Sequence, residues 1–391
     1  MKLYKHQQTL LDKNPDKCLI AWEVGTGKTL MALSLAKKAV YPMVICPKSL
    51  KEQWREQCDY PVRTKEEFRS GKDSVSSDCL IIDEAHFFFG MQGVKKRSGM
   101  LKALLGYIKK HDPKYIYLLT GTPYMSTPWN IFAAGKILGR KWDSKAFKER
   151  FFYLVNMGMR WPVPVVKQGI ENDIASIVSN IGDVVKMEDA FDVPEQVYQG
   201  EYFALTRAQK TAMDELDDEG IARWTKCHQI CGGTLKGDGY TDSLAFQSEK
   251  MDRVLELAKE HKKLIIVCRY NYEIESIYKK LKGKYTVSRI TGNTNDRSGV
   301  VKKCDAAKQG IILVNAACSE GYELPSFPVM VFYSYDFSLK NYIQMKGRIL
   351  RANKLKKNVY LSLVVKGTID EDVYKCIQAK RDFDMAIYDK K

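Results

Sequence analysis

No stretch of this 391-residue chain approaches the run of about 18 apolar residues that a membrane-spanning helix needs, so no membrane span is expected. Its first residues, Met1-Lys2-Leu3-Tyr4-Lys5-His6-Gln7-Gln8, lack the apolar core of a secretory signal, and the sequence reads as a soluble intracellular protein. Proline and glycine are sparse, at 12 and 26 residues. With 45% apolar and 28% charged residues, that composition excludes a collagenous or a disordered chain. Short repeats and low-complexity tracts are also lacking. The ten cysteines form no disulfide framework: Cys46, Cys79, Cys268 and Cys318 stand singly in apolar runs and read as small buried hydrophobes of a reducing cell. Cys227-His228-Gln229-Ile230-Cys231 offers zinc-ligand types, but no second Cys/His pair follows at zinc-site spacing.

Acidic residues are in deficit. Against 63 Lys and Arg stand 47 Asp and Glu, a formal net charge of +16, spread along the whole chain rather than held in a tail. Such an excess steers polyanions in from a distance and points to nucleic acid, although net charge also serves plain solubility.

The length accommodates two or three domains. In the first part, short apolar runs alternate with helix-like segments. Strands are expected at 17–22, 43–46, 79–82 and 115–119, with helices at 28–40, 49–58 and 100–110. The alternation fades from about Trp129 to Phe246, where helical stretches and Pro-containing turns are expected, and resumes at 264–268, 286–290, 311–314, 329–333 and 359–364. Apolar runs separated by helices indicate parallel sheets covered on both faces, hence two α/β units with a mostly helical middle.

Glu23-Val24-Gly25-Thr26-Gly27-Lys28-Thr29 lies between an expected strand and an expected helix, where a phosphate-binding loop belongs. Its glycines let backbone N–H groups approach phosphate oxygens, Lys28 suits the β- and γ-phosphates, and Thr29 offers a hydroxyl to Mg²⁺. Trp22 replaces the first glycine of the full pattern. Asp83-Glu84-Ala85-His86 directly follows the strand 79–82, at the edge where α/β sheets bind ligands. There Asp83 suits Mg²⁺ through its water shell, and Glu84 suits positioning and deprotonation of an attacking water. Gln344, Arg348 and Arg351, at i, i+4 and i+7, share one face if the segment is helical, and the two guanidinium groups can neutralise charge on a γ-phosphate. A solvated basic face fits the same spacing.

Taken in order, these segments resemble superfamily-two helicases, most nearly the Swi/Snf-type ATPases, over nearly the whole chain. Tyr4-Lys5-His6-Gln7 is similar to the family's adenine-reading element, Glu23–Thr29 to motif I, Val44–Leu50 with Gln53-Trp54 to motif Ia, and Asp83–His86 to motif II. Leu118–Pro123 is similar to motif III, Ser248-Glu249-Lys250 and Ile265–Tyr270 to the entry of the second lobe and motif IV, and Gln344–Arg351 to motif VI. Ile290-Thr291-Gly292 with Arg297 looks like a further track-contacting element, and Gly367–Glu371 like the closing segment. Motif V departs from the family: Cys318-Ser319 replace a glycine pair, Glu320-Gly321 remain, and Glu323 stands where an asparagine is usual.

The resemblance implies two RecA-like parallel-sheet lobes in tandem with helical insertions, expected at 1–203 (protrusion about 129–190) and 204–391 (protrusion about 204–246). It implies ATP and Mg²⁺ held by Gln7, Gly25, Thr26, Gly27, Lys28, Thr29 and Asp83, with Thr29 and Asp83 at the metal. Glu84, Lys28, Gln344, Arg348 and Arg351 would carry the chemistry. Lys48, Ser49, Thr122, Arg269, Thr291 and Asn315 would contact nucleic acid, and His86, Thr120, Glu320 and Gly321 would couple the two functions. The expected activity is ATP-driven translocation by a monomer on duplex or branched DNA, in a bacterial or phage-infected cytoplasm or nucleoid, with a nuclease or a replication or recombination protein as a further partner. A DEAH-type RNA helicase and a nucleotide-gated clamp without motor activity are the rival expectations.

Overall fold

The computed structural model describes residues 3–71, 75–91, 93, 96–123, 127–156, 163–237, 243–319, 321–324, 326–350, 357–379 and 381–383. The chain divides into two compact units, Met1–Phe191 and Asp192–Lys391.

The first unit contains β1 (Lys17–Trp22), β2 (Pro42–Cys46), β3 (Val62–Thr64), β4 (Cys79–Ile82), β5 (Tyr115–Leu119), the small antiparallel pair β6 (Phe152–Val155) and β7 (Val163–Val166), and β8 (Gly182–Val185). Apart from the small pair, these strands form one parallel six-stranded sheet in the order β3-β2-β4-β5-β1-β8. Period-two alternation sends Leu19, Ile45, Leu80, Ile82 and Leu118 into one core. It sends Ile20, Trp22, Val44, Ile81, Tyr117 and Leu119 into the core on the other face. That double burial is why the strands read as continuous apolar runs. At Gly182 a Cβ would lie 2.0 Å from the Leu19 carbonyl oxygen, so only glycine lets β8 pair there with β1.

The second unit contains β9 (Gln196–Phe203), the two-residue strands β10 (Thr234–Leu235) and β11 (Leu244–Ala245), then β12 (Lys263–Cys268), β13 (Thr286–Ile290), β14 (Gly310–Asn315), β15 (Val329–Phe332) and β16 (Asn358–Val365). Its parallel sheet has the order β13-β14-β12-β15-β16-β9, again with a core on each face.

The two parallel-sheet units are as expected; the middle of the chain is not. The stretch expected to be mostly helical also supplies β6, β7, β8 and β9. β9 pairs with β16 along its whole length, so residues 196–203 join the second sheet rather than the first lobe. β8 and β9 carry polar residues or glycine, and their sheet partners β1 and β16 lie far along the chain, which a local pattern does not register; among the described residues β6 and β7 pair only with each other. The cluster at 227–231 is packed inside the second unit. Cys227 and Cys231 are free buried thiols, and His228 accepts or donates a 3.0 Å hydrogen bond at Nδ1 with the Tyr270 hydroxyl. Among the described residues no three His, Cys, Asp or Glu side chains gather as metal ligands, and no helix is long and apolar enough to cross a membrane.

Candidate nucleotide site and nucleic-acid edge

β4, β5 and β1 are neighbours in the first sheet, and the motif-bearing turn of each follows its C-terminal end. Parallel strands therefore bring Asp83–His86, Thr120–Thr122 and Glu23–Thr29 to one edge, although up to about a hundred residues of chain separate them. Open α/β sheets bind their ligands along such an edge.

In the glycine loop, Gly25 and Gly27 both have φ of 87°, the left-handed region that favours glycine. The Thr26 hydroxyl donates to the Glu23 carbonyl at 2.7 Å, and the helix Lys28–Ala36 begins with no side-chain cap, leaving its N-terminal end for an anion. Lys28 Nζ donates to the carbonyls of Trp22 (2.8 Å) and Glu23 (3.0 Å). Glu23 is tied in turn to Met187, whose N–H donates to Oε2 at 2.9 Å. Gln7 is buried against this loop: its Oε1 accepts from the Tyr4 N–H at 3.0 Å, and its Nε2 donates to the Thr26 carbonyl at 3.4 Å. A Cβ at Gly27 would lie 2.3 Å from that Nε2. Trp22, at the absent first glycine, is fully buried, and its indole donates to Asp183 at 2.8 Å. It packs as a core residue beneath the loop.

Asp83 remains partly open, while Glu84 is buried. Burial, and then the adjoining Glu84 charge, push the Asp83 carboxyl up to about 6, against the pull of its Trp54 hydrogen bond and of Lys28. Two adjoining carboxylates whose charges repel make an all-oxygen donor set that a divalent cation relieves, and that set suits Mg²⁺. Glu84 adopts φ 47°, rare for a residue with a side chain, and its N–H donates to Asp83 Oδ1 at 2.9 Å. His86 Nδ1 stands 3.1 Å from Glu84 Oε2 and 3.2 Å from Thr120 Oγ1, which also accepts from the Thr122 N–H at 3.0 Å. A polar chain thus runs from the acidic turn of β4 to the turn after β5.

In the second unit, Gln344 is buried and its Oε1 accepts from the Ser319 hydroxyl at 2.8 Å. The expectation of one helical face fails. The helix is Leu339–Lys346, so Arg348 lies beyond its end in a turn, where its N–H bonds to Met345 O and its carbonyl accepts from the Leu324 N–H. Gly347, a poor helix former, and the capture of that carbonyl by Leu324 end the helix there. Arg348 is 7% exposed, with Nη1 donating to the Tyr322 carbonyl at 3.1 Å. Gly321 holds φ 82°. Arg351 and Glu320 lie outside the described residues.

β13, β14 and β12 are also adjacent, which places Thr291, Asn315 and Arg269 side by side at one edge of the second sheet. Asn315 Nδ2 donates to the Arg269 carbonyl at 3.1 Å, and the Thr291 N–H donates to Thr294 Oγ1 at 3.0 Å. The Arg269 guanidinium is ion-paired with Asp336 and lies 3.5 Å from the centre of the Phe337 ring. In the first unit, Lys48 and Ser49 are exposed just past β2, whereas Thr122 is buried and its hydroxyl has no partner among the described residues.

Residues 248–353 match the helicase conserved C-terminal domain. A Xenopus laevis protein, SWI/SNF-related matrix-associated actin-dependent regulator of chromatin subfamily A-like protein 1, is 24% identical over 93% of this chain and 41% of its own length. Over nearly its whole length the chain is thus similar to SWI/SNF-related proteins. A Caenorhabditis elegans homologue of that Xenopus protein is 21% identical over 94% of the chain and 58% of its own length. The chain thus spans about two fifths to three fifths of these Swi/Snf relatives. The helicase domain of Pyrococcus furiosus Hef shares the fold, with 14% identity, a TM-score of 0.55, and coverage of 96% of this chain and 98% of that one. The two units accordingly have the RecA-like fold seen in that helicase domain.

The residue that reading by motif missed is Trp54. Its indole Nε1 donates to Asp83 Oδ2 at 2.8 Å. Its place in the motif Ia segment was legible, but its reach to the acidic turn of another strand was not.

Proposed function

We propose that this chain is a nucleic-acid-dependent ATPase that moves along duplex DNA. The observation that carries the reading is the convergence of the glycine loop, the Asp83-Glu84 pair and the Thr120–Thr122 turn on three adjacent strand ends. The loop backbone, Lys28 and Thr29 bind the phosphates of ATP, with Gln7 near the base. Bound Mg²⁺, held by Thr29 and by Asp83, supplies charge neutralisation at the phosphates. Glu84 orients the attacking water and accepts its proton, and the resemblance assigns a part in turnover to Gln344, Arg348 and Arg351. The chain Glu84–His86–Thr120 offers a route by which the state of the nucleotide reaches the segment after β5. Phosphate contacts suit a motor because they carry no sequence information.

Duplex DNA is favoured over RNA by the extent of the likeness to SWI/SNF-related proteins, which spans 93% of the chain. The test measures ATPase stimulation by duplex DNA, single strands and RNA, together with triplex displacement and strand separation on one preparation. Duplex stimulation with triplex displacement is expected, both abolished by Glu84→Gln while ATP binding persists. Stimulation by RNA alone refutes the DNA reading, and DNA-dependent function surviving Glu84→Gln refutes the motor in favour of a clamp.

A further inference from the structure

Trp54 lies in the helix Lys51–Gln57, which follows β2, the strand beside β4. It is 2% exposed and packed in the core on one face of the sheet. The helix is pinned by Lys51, whose Nζ lies 2.6 Å from Glu67 Oε1. From this rigid mount the indole N–H reaches Asp83 Oδ2 at 2.8 Å, while the Glu84 N–H holds Oδ1 at 2.9 Å. Each oxygen of the carboxylate therefore has one donor, and the two donors together fix its rotation. A carboxylate has about four lone-pair sites, so two remain for a metal or its water shell. A buried indole N–H finds some partner in almost any core, and a backbone carbonyl would have served. Here the partner is the partly open carboxylate at the mouth of the nucleotide loop.

We infer that Trp54 is a positioning residue for the divalent cation of the nucleotide site, acting through Asp83: its N–H orients the carboxylate so that the free lone pairs face the metal. The inference rests on the ATPase reading above and adds to it a residue from outside the loops that touch nucleotide. Groups that orient metal ligands in this way change metal affinity by about 10–100-fold when removed. Because Asp83 suits Mg²⁺ through water, the effect belongs at the lower end.

The experiment titrates Mg²⁺ against binding of a fluorescent, non-hydrolysable ATP analogue to the full chain, excited directly so that tryptophan plays no part. In Trp54→Phe the half-saturating Mg²⁺ concentration is expected to rise about tenfold, with binding in excess EDTA unchanged. Asp83→Asn is expected to flatten the Mg²⁺ dependence, and adding Trp54→Phe to it should then change nothing further. Should the phenylalanine variant fail to fold, β-(3-benzothienyl)alanine at position 54 keeps the ring size and removes only the N–H. An unaltered Mg²⁺ curve in a folded variant overturns the inference, as does an equal loss of affinity with and without Mg²⁺, which marks a packing role. Failure of the unsubstituted chain to bind the analogue at any Mg²⁺ concentration instead removes the ATPase reading itself, and the inference with it.

Discussion

Replacing Lys250 by methionine should destabilise the second unit by about 3–5 kcal/mol near pH 8, the range for removing one partner of a buried ion pair. Lys250 Nζ lies 2.9 Å from Asp370 Oδ2, and each side chain is 1% exposed. The Val365 N–H donates to the same oxygen at 2.8 Å, and His228 Nε2 stands 3.4 Å from Oδ1. Burial alone would raise the Asp370 carboxyl; Lys250, His228 and the Val365 N–H outweigh it and hold it at about 2. Against about 3.9 unfolded, that depression represents roughly 2–3 kcal/mol. This contribution is complete above pH 4 and is lost as pH falls toward 2. Methionine keeps the stem and leaves the carboxylate with no full counter-charge.

The deficit should itself depend on pH. Burial, with the Arg269 and Lys250 charges, lowers the His228 pKa, so the normal chain loses stability as pH falls through about 6.5. Without Lys250 the imidazole can take up a proton and become the missing cation. Glu273, pushed up to about 7 by burial and eased by Lys250, would also bind its proton more firmly. Both changes let the folded variant hold more protons, so its deficit should shrink by about 1 kcal/mol between pH 7.5 and 5.5. Urea unfolding read by hydrogen exchange, which resolves peptides of residues 192–391 from the rest, measures it. A variant within 1 kcal/mol of the normal chain, or a deficit that widens in acid, would refute this account of the buried charges.

Three further outcomes are expected. Arg351→Ala and Arg348→Ala should each lower maximal ATP turnover about 10³-fold or more while weakening nucleotide binding far less, because such groups act mainly on the transition state; steady-state kinetics beside equilibrium binding decides it. Gly27→Ala, which puts a Cβ 2.3 Å from Gln7 Nε2 at φ 87°, should weaken nucleotide binding, with about 1–2 kcal/mol of backbone strain added to the collision; equal affinity in both forms would show that the loop relaxes freely. DNA affinity should fall linearly on a log–log plot against salt, by about 10³-fold between 50 and 200 mM if some six phosphates are held; a flat dependence argues against a phosphate track.

Much of this protein was legible without coordinates. The apolar runs at 79–82 and 115–119 are strands with those bounds, because a strand buried on both faces must be apolar throughout. The glycine loop was equally plain, since φ of 87° at Gly25 and Gly27 leaves little choice of residue. Less visible were β8 and β9, whose pairing partners β1 and β16 lie some 160 residues away in the chain. The helical face drawn through Gln344, Arg348 and Arg351 assumed a helix that stops at Lys346, because Leu324, from a different segment, takes the Arg348 carbonyl.

Local residue chemistry, then, determined which segments could be strands, which loop could take a phosphate, and which turn carried paired carboxylates. Strand order decided what stands beside what: it set the turns of β4, β5 and β1 in one row and carried the Trp54 indole to Asp83 from the helix after β2. The reason is physical. Conformation and chemical type are properties of a few neighbouring residues, whereas adjacency in a parallel sheet depends on how crossovers pack many residues apart, and no short window of sequence holds that information.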